Sequence, residues 1–309
     1  MLKKATGLLL AGLFVSTSAF AAVLDGDDFV SATSVSGRTN DWSLTFFSVA
    51  SQSNMKPGKT ESGTRSVESY DYFGIRYKLN ADERVALNLP FNYNTSGQNA
   101  YGDTVTSNFS LNDVHFVYSN YDLGYFGPID YSGKVKLYLP TSKNSQNSGT
   151  ITKLRLEGYA DWQFAHSWSI AYVAKPDFYW QSQTASLNDQ IGYRDDGMFF
   201  SDPRRTNKQF GLEHYVQLEW SLNEVFQVST SVGFDESWYH ASTVEQLEAN
   251  HTTTFRSRVG FWIKPARGFS FTLGMGNDTM LTSGSRGEDV QFWQPQNTQY
   301  SLMTNIYVL

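Results

Sequence analysis

The feature that most constrains this chain is a strict alternation of side-chain character between residues 209 and 234. From Phe210 to Trp220 every second side chain is apolar, apart from His214, and the intervening positions are mainly polar. After a short break at residues 221–224, a second run alternates in the same way. Successive side chains of a β-strand point to opposite faces, so a period of two predicts strands. Two such runs joined by a tight break predict a hairpin.

The first 40 residues differ from the rest of the chain. Lys3 and Lys4 precede the short apolar run 8–15, and an Ala-x-Ala sequence follows, so residues 1–21 are predicted to be a secretory signal peptide. The apolar run is too short to span a bilayer. Residues 22–40 are polar and poorly periodic, and we interpret them as a periplasmic lead-in.

Composition narrows the class of protein further. The chain has 309 residues, no cysteine and a formal net charge of −6, which argues against a nucleic-acid partner. Aromatic residues reach 16%, and beyond the signal peptide no run of eighteen apolar residues could form a transmembrane helix. An exported, aromatic-rich chain without cysteine or a membrane helix is typical of the Gram-negative envelope.

From residue 41 onward, about twelve alternating segments of strand length follow one another. The connections between them alternate in length. Long ones cover 51–66, 95–108, 141–151, 181–208, 237–252 and 277–298, and short ones cover 80–83, 121–130, 165–167, 222–224 and 264–268. Among the short connections, only 121–130 is longer than expected. A transmembrane barrel has short periplasmic turns and long outer loops, so its connections alternate in length. Nothing in the architecture of a soluble β-sandwich requires such alternation.

We therefore predict an all-β fold, a transmembrane antiparallel up-and-down β-barrel over residues 41–309. The strand number is about twelve, with 10 or 14 as the alternatives, and it must be even if both termini are periplasmic. Closure into a barrel also removes the unpaired strand edges that a bilayer does not tolerate.

The last predicted strand, QYSLMTNIYVL at residues 299–309, resembles the terminal insertion strand of bacterial outer-membrane β-barrels. Tyr307 stands third from the end, although the chain ends at Leu309 instead of phenylalanine. The resemblance rests on pattern and extends over the signal peptide and residues 41–309. It implies location in the cell outer membrane, contact with membrane lipid and lipopolysaccharide, and recognition by the outer-membrane insertion machinery through the C-terminal strand.

The two faces of the predicted strands carry different residues. Aromatic side chains near the strand ends predict two girdles at the membrane interfaces: Trp42, Trp162, Trp168 and Trp220 on the periplasmic side, and Phe91, Phe178, Trp180, Phe210 and Phe234 on the outer side. The inward face is charged, which suits a lumen that holds water. Its predicted lining is Arg76, Lys78, Lys134, Lys136, Lys153, Arg155, Glu157, Asp161, Glu213, Glu219, Arg256 and Arg258.

The fifth and sixth predicted strands flank residues 141–151, so Lys136 is expected to lie close to Glu157. Basic residues dominate several strands, whereas Glu213 and Glu219 make the eighth strand acidic. This separation of basic and acidic strands predicts a transverse electric field across the lumen. The inward cations outnumber the acids near them, so a weak anion preference is expected.

These observations predict a passive outer-membrane channel in which small hydrophilic solutes diffuse through a charged lumen. Twelve strands imply a lumen between that of filled eight-stranded barrels and that of wide sixteen-stranded porins. A closed structural or adhesive barrel, whose charges pair internally and whose long loops bind a partner, is the first alternative. Loop 181–208 would then project outward, whereas in a channel it would fold inward as a constriction.

An outer-membrane hydrolase is a weaker alternative. His240 and Ser242 have the His-x-Ser spacing of the outer-membrane phospholipase A family, but their neighbours lack the glycine and asparagine of that family. The acidic residues of loop 181–208 have no histidine beside them. We find no nucleotide fingerprint and no metal-ligand spacing, so the sequence predicts no enzyme activity, cofactor or metal.

Overall fold

The structure is a computed structural model that describes residues 41–53, 63–99, 103–184, 191–193, 199–201, 206–241, 251–266, 268–283 and 297–308. The predicted signal peptide, 1–21, and the predicted lead-in, 22–40, lie outside these residues. Among the described residues, no helix is both long enough and apolar enough to cross a bilayer.

Twelve antiparallel strands form one closed barrel, which confirms the predicted fold class and strand number. Each strand pairs with its neighbours along the chain, and pairing of the first strand with the last closes the wall. The strands are β1 Trp42–Ser53, β2 Glu68–Lys78, β3 Glu83–Asn94, β4 His115–Phe126, β5 Ile129–Tyr138, β6 Thr150–Ala165, β7 Trp168–Gln181, β8 Lys208–Ser221, β9 Phe226–Tyr239, β10 His251–Ala266, β11 Phe269–Ser283 and β12 Thr298–Val308.

The hairpin of β4 and β5 differs from the sequence prediction, which placed a connection at 121–130. In the structure β4 extends to Phe126 and β5 begins at Ile129, so only two residues connect them. Gly127 takes the positive φ of 61° that this tight turn requires. An irregularity between Asn120 and Gly124 interrupts the pairing. Such a bulge breaks the period of two, which is why the continuation of the strands was not visible in the sequence.

The outer part of the fourth predicted strand, 109–120, is also interrupted. A short strand, Asn108–Leu111, pairs with the outer part of β3, and β4 begins only at His115. Between these two segments Asp113 turns toward the loop that follows β5, where helix α1, Lys143–Asn147, is located. Further two-residue and three-residue strand pairs join 97–98 to 104–105 and 191–193 to 199–201.

The outer surface of the barrel is apolar and the inner surface is polar. Leu44, Phe73, Val216 and Leu273 are 41–55% exposed on the outer face. Inward neighbours such as Gln217 are buried. A soluble barrel would show the reverse arrangement, so the outer face is the lipid-facing surface.

Substituting Val216 by arginine is expected to lower the free energy of unfolding by about 2–4 kcal/mol, because the charge would meet the hydrocarbon core. Urea titration in lipid vesicles measures this loss. Gln299→Arg is the matched control, since Gln299 lines a cavity inside the barrel. Equal losses for the two variants would contradict the assignment of the faces.

Candidate functional site in the barrel lumen

A cavity of about 570 Å³ occupies the outer part of the lumen, and we refer to it as the vestibule. Its wall combines polar strand residues with side chains of the loop that carries α1. Its polar lining includes Tyr70, Tyr138, Ser142, Asn144, Ser145, Lys153, Arg155, Arg258, Asp278, Gln299 and Ser301. A cavity of this size is in the range that proteins use to hold small molecules.

Helix α1 is fixed against the vestibule by one carboxylate. Asp113 Oδ1 accepts a hydrogen bond from the backbone N–H of Ser142 at 2.8 Å, and Asp113 Oδ2 accepts from the Ser145 hydroxyl. The amide of Asn207 donates to the carbonyl oxygens of Ser148 at 2.7 Å and of Gln183 at 2.9 Å. These bonds tie three outer loops together around the mouth of the barrel.

Two ion pairs lie on the wall formed by β5, β6 and β7. The ion pair predicted from the strand assignment is present: Lys136 Nζ lies 2.7 Å from Glu157 Oε1, and both side chains are at most 1% exposed. Glu157 also accepts a hydrogen bond from the Tyr159 hydroxyl at 2.8 Å. Nearer the outer end, the guanidinium of Arg155 donates to both oxygens of Asp177, at 2.7 and 2.8 Å.

On the adjacent wall, formed by β8 to β11, Arg256 and Arg258 are surrounded by carboxylates. Arg256 lies 2.9 Å from both Glu213 and Asp235 and 3.5 Å from Asp278. Arg258 pairs with Asp278 at 3.2 Å. Asp235 and Asp278 were absent from the set of site residues predicted from the sequence. The β11 alternation continues past residue 276, where the predicted strand ended, and that continuation could have revealed Asp278.

Several inward cations lie over aromatic rings. Lys153 Nζ is 3.7 Å from the centroid of the Tyr138 ring, and Lys134 Nζ is 5.2 Å from that of Tyr159. Arg76 lies 5.5 Å above Tyr307. A ring holds a cation in position electrostatically and leaves its formal charge unchanged.

The remaining predicted lumen residues lie toward the periplasmic end. Glu219 is buried and accepts a hydrogen bond from the Gln227 amide at 2.7 Å. Asp161 stands directly across the ladder from Asp130. Lys78 is exposed at the periplasmic end of β2.

Below the vestibule the lumen is filled by side chains, and we refer to this region as the packed layer. Two apolar clusters form part of it: Phe47, Tyr72, Trp262 and Met303, and Tyr159, Ala171, Val173 and Tyr215. All twelve strands contribute a side chain that is at most 3% exposed. They are Phe47, Tyr72, Asn88, His115, Lys136, Glu157, Val173, Gln217, Ser229, Trp262, Thr272 and Asn305.

The vestibule ends on the packed layer. Met303 belongs to the first cluster, Val49 and Tyr70 pack against it, and all three residues line the vestibule. On the periplasmic side, a cavity of only about 20 Å³ lies among residues that include Arg76 and Lys134. The described part of the lumen therefore contains an outer compartment and, below it, a packed layer.

The predicted girdle residues lie on the outer surface of the barrel, and two pairs of them are in contact. Trp168 and Trp220 stack at a centroid distance of 5.4 Å beside the periplasmic turns. Phe178 and Phe210 meet at 5.2 Å near the outer end. The others are Trp42, Trp162 and Trp180, which are 43–61% exposed, and Phe91 and Phe234, which contact neighbouring phenylalanines.

The residues considered for hydrolysis do not form a described site. His240 Nε2 lies 3.2 Å from the side-chain oxygen of Gln181, and Ser242 lies outside the described residues. Most of loop 181–208, with its acidic residues, also lies outside them. In the described ranges, no group of three or more His, Cys, Asp or Glu side chains could hold a metal ion.

No protein-family model and no curated protein sequence matches this chain. Among solved structures, it is similar to the COG4313 outer membrane channel from Pseudomonas putida F1, with a TM-score of 0.56 and 10% identity over 88% of this chain and 97% of the other. The translocator domain of autotransporter NalP from Neisseria meningitidis follows, with a TM-score of 0.46 and 10% identity over 89% and 90% of the two chains. The KdgM porin has a TM-score of 0.44 and 7% identity, over 85% of this chain and 98% of the other.

The first of these similarities supports the fold, and the other two are too low to carry an argument. The closed barrel, its apolar outer face and its charged interior make this chain a β-barrel of the outer-membrane class. A closed barrel with a lipid-facing exterior places the chain in the outer membrane.

Proposed function

We propose that the protein is a passive channel for small hydrophilic solutes, which enter the vestibule and cross the packed layer when its side chains move. The observation that carries this proposal is the charged inner wall around an outer cavity of about 570 Å³. A barrel that served only as a membrane anchor would need no such compartment. Selection would then depend on width and on the charges that line the pathway.

The lumen charges favour a weak preference for anions. Glu213, Asp235 and Asp278 surround Arg256 and Arg258, so these two cations add little to it. The preference then comes mainly from the β5–β7 wall, which includes Lys134 and Lys153.

Purified, heat-modifiable protein in planar bilayers is expected to give conductance steps that scale with bulk salt. In a salt gradient the reversal potential should show weak anion selectivity. The selectivity should fade at high salt, because the Debye length falls from about 10 Å at 0.1 M to about 3 Å at 1 M. Correctly folded protein without conductance steps would contradict the channel proposal.

The packed layer favours a second candidate, a closed structural or adhesive barrel whose outer loops bind a partner. In that case the charges of residues such as Lys136 and Glu157 stabilise the interior. The bilayer recordings separate the two candidates, since the closed barrel predicts no steps.

A further inference from the structure

We propose that the vestibule is a binding site for small hydroxylated organic carboxylates, held on the wall formed by β5, β6 and β7. This inference rests on the proposed channel function, because the site would be the outer entrance of that pathway. Three observations carry it: the charges on this wall, the position of Lys153, and the hydroxyl and amide groups around the cavity.

The β5–β7 wall carries an excess of positive charge above its periplasmic end. Its inward side chains there comprise five cations and two carboxylates, namely Lys134, Lys136, Lys153, Arg155 and Lys175 with Glu157 and Asp177. The net positive charge of this wall is the same whichever of its side chains form ion pairs, because it is the sum of their formal charges. The other acids of the wall, Asp130 and Asp161, lie opposite each other nearer the periplasm.

The neighbouring wall, β8 to β11, carries no excess of either sign at this level. Lys208, Arg256 and Arg258 there balance the three carboxylates Glu213, Asp235 and Asp278. The excess on β5–β7 is therefore not offset by this neighbour, and in a low-dielectric lumen it draws an anion in the vestibule toward β5–β7.

Lys153 places a positive charge at the surface of the cavity. Lys153, Arg155 and Tyr138 all line the vestibule. The Tyr138 ring lies 3.7 Å from the Lys153 ammonium, where it fixes the long side chain without cancelling its charge. A carboxylate beside Lys153 would therefore meet a donor that is already in place, while Arg155 stays bonded to Asp177 at the edge of the site.

The rest of the lining suits a hydroxylated ligand. Helix α1 and the residue before it supply Ser142, Asn144 and Ser145, and β12 supplies Gln299 and Ser301. Hydroxyl and amide groups both donate and accept hydrogen bonds, as the hydroxyl groups of a polyol do. A cavity of about 570 Å³ is large enough for a six-carbon polyol chain with part of its water.

Binding can be tested with three six-carbon probes that differ mainly in charge: gluconate, sorbitol and glucamine. Saturation-transfer NMR on the full chain in detergent micelles should show binding of gluconate and much weaker signals for the other two. Lys153→Gln should weaken gluconate binding about tenfold, the effect of losing one hydrogen bond to a charged group. Lys143→Gln is the matched control, since Lys143 lies in helix α1, beside the vestibule, and is exposed.

Equal binding of sorbitol and gluconate would overturn the carboxylate specificity. Equal weakening by Lys143→Gln and Lys153→Gln would overturn the site, because a general effect of charge would then explain the binding. Heat-modifiability shows that each variant is folded. Binding in micelles needs no conduction, so protein that binds gluconate without conducting would refute the channel alone. Protein that conducts without binding gluconate would refute the site alone.

Discussion

Replacing Glu157 by leucine is expected to lower the free energy of unfolding by about 3–5 kcal/mol, because the charge of Lys136 would be left buried without its carboxylate. The two side chains are 2.7 Å apart and almost fully enclosed in the packed layer. Removing both charges should cost far less, since a buried ion pair gains little over an apolar pair of similar volume. Urea titration in lipid vesicles measures all of these variants.

The double variant Lys136→Met with Glu157→Leu is thus expected to regain most of the stability lost by Glu157→Leu alone. Glu224→Leu serves as the surface control, because Glu224 is exposed in a periplasmic turn. Similar losses for Glu157→Leu and Glu224→Leu would show that the ion pair contributes nothing specific to the barrel.

The pairing of Lys136 with Glu157 also shows which parts of the site the sequence could predict. Both residues lie on inward positions of adjacent strands, so period two and the connection between β5 and β6 were sufficient to bring them together. Side-chain contacts between the two strands of one hairpin can be predicted from the alternation of polar and apolar residues along each strand. The lipid-facing residues, such as Val216, were predictable for the same reason.

The packed layer could not be predicted in this way. Phe47, Tyr72 and Trp262 stand at inward positions, but β1 and β10 are far apart along the chain and are not paired in the barrel. Aromatic residues occur on both faces of these strands. The sequence around an inward aromatic residue therefore does not show whether its ring contacts another ring across the lumen. Asp278 was missed because strand β11 continues beyond its most regular segment.

Replacing Trp262 by alanine is expected to raise the single-channel conductance several-fold. The indole ring is 2% exposed and packs in one cluster with Phe47, Tyr72 and Met303, at the level where the vestibule ends. Its N–H donates to the Ser229 hydroxyl at 3.3 Å, which fixes the ring on the β9 side of the lumen. Loss of the ring would leave a cavity lined partly by Ser229, in which water can enter and continue the pathway from the vestibule.

Such a change also carries a stability cost of about 3–5 kcal/mol, typical for truncation of a buried tryptophan, so folding must be checked by heat-modifiability before recording. Leu273→Ala is the control, because Leu273 is 53% exposed on the lipid-facing surface and lies outside the lumen. It should leave conductance unchanged. Folded Trp262→Ala protein with the conductance of the parent would show that solutes, if they cross, do not pass beside this cluster.

A combined Phe47→Ala and Trp262→Ala variant extends the test, because both rings lie in the same cluster. A larger increase in conductance than in Trp262→Ala alone would locate the narrowest part of the pathway at the packed layer.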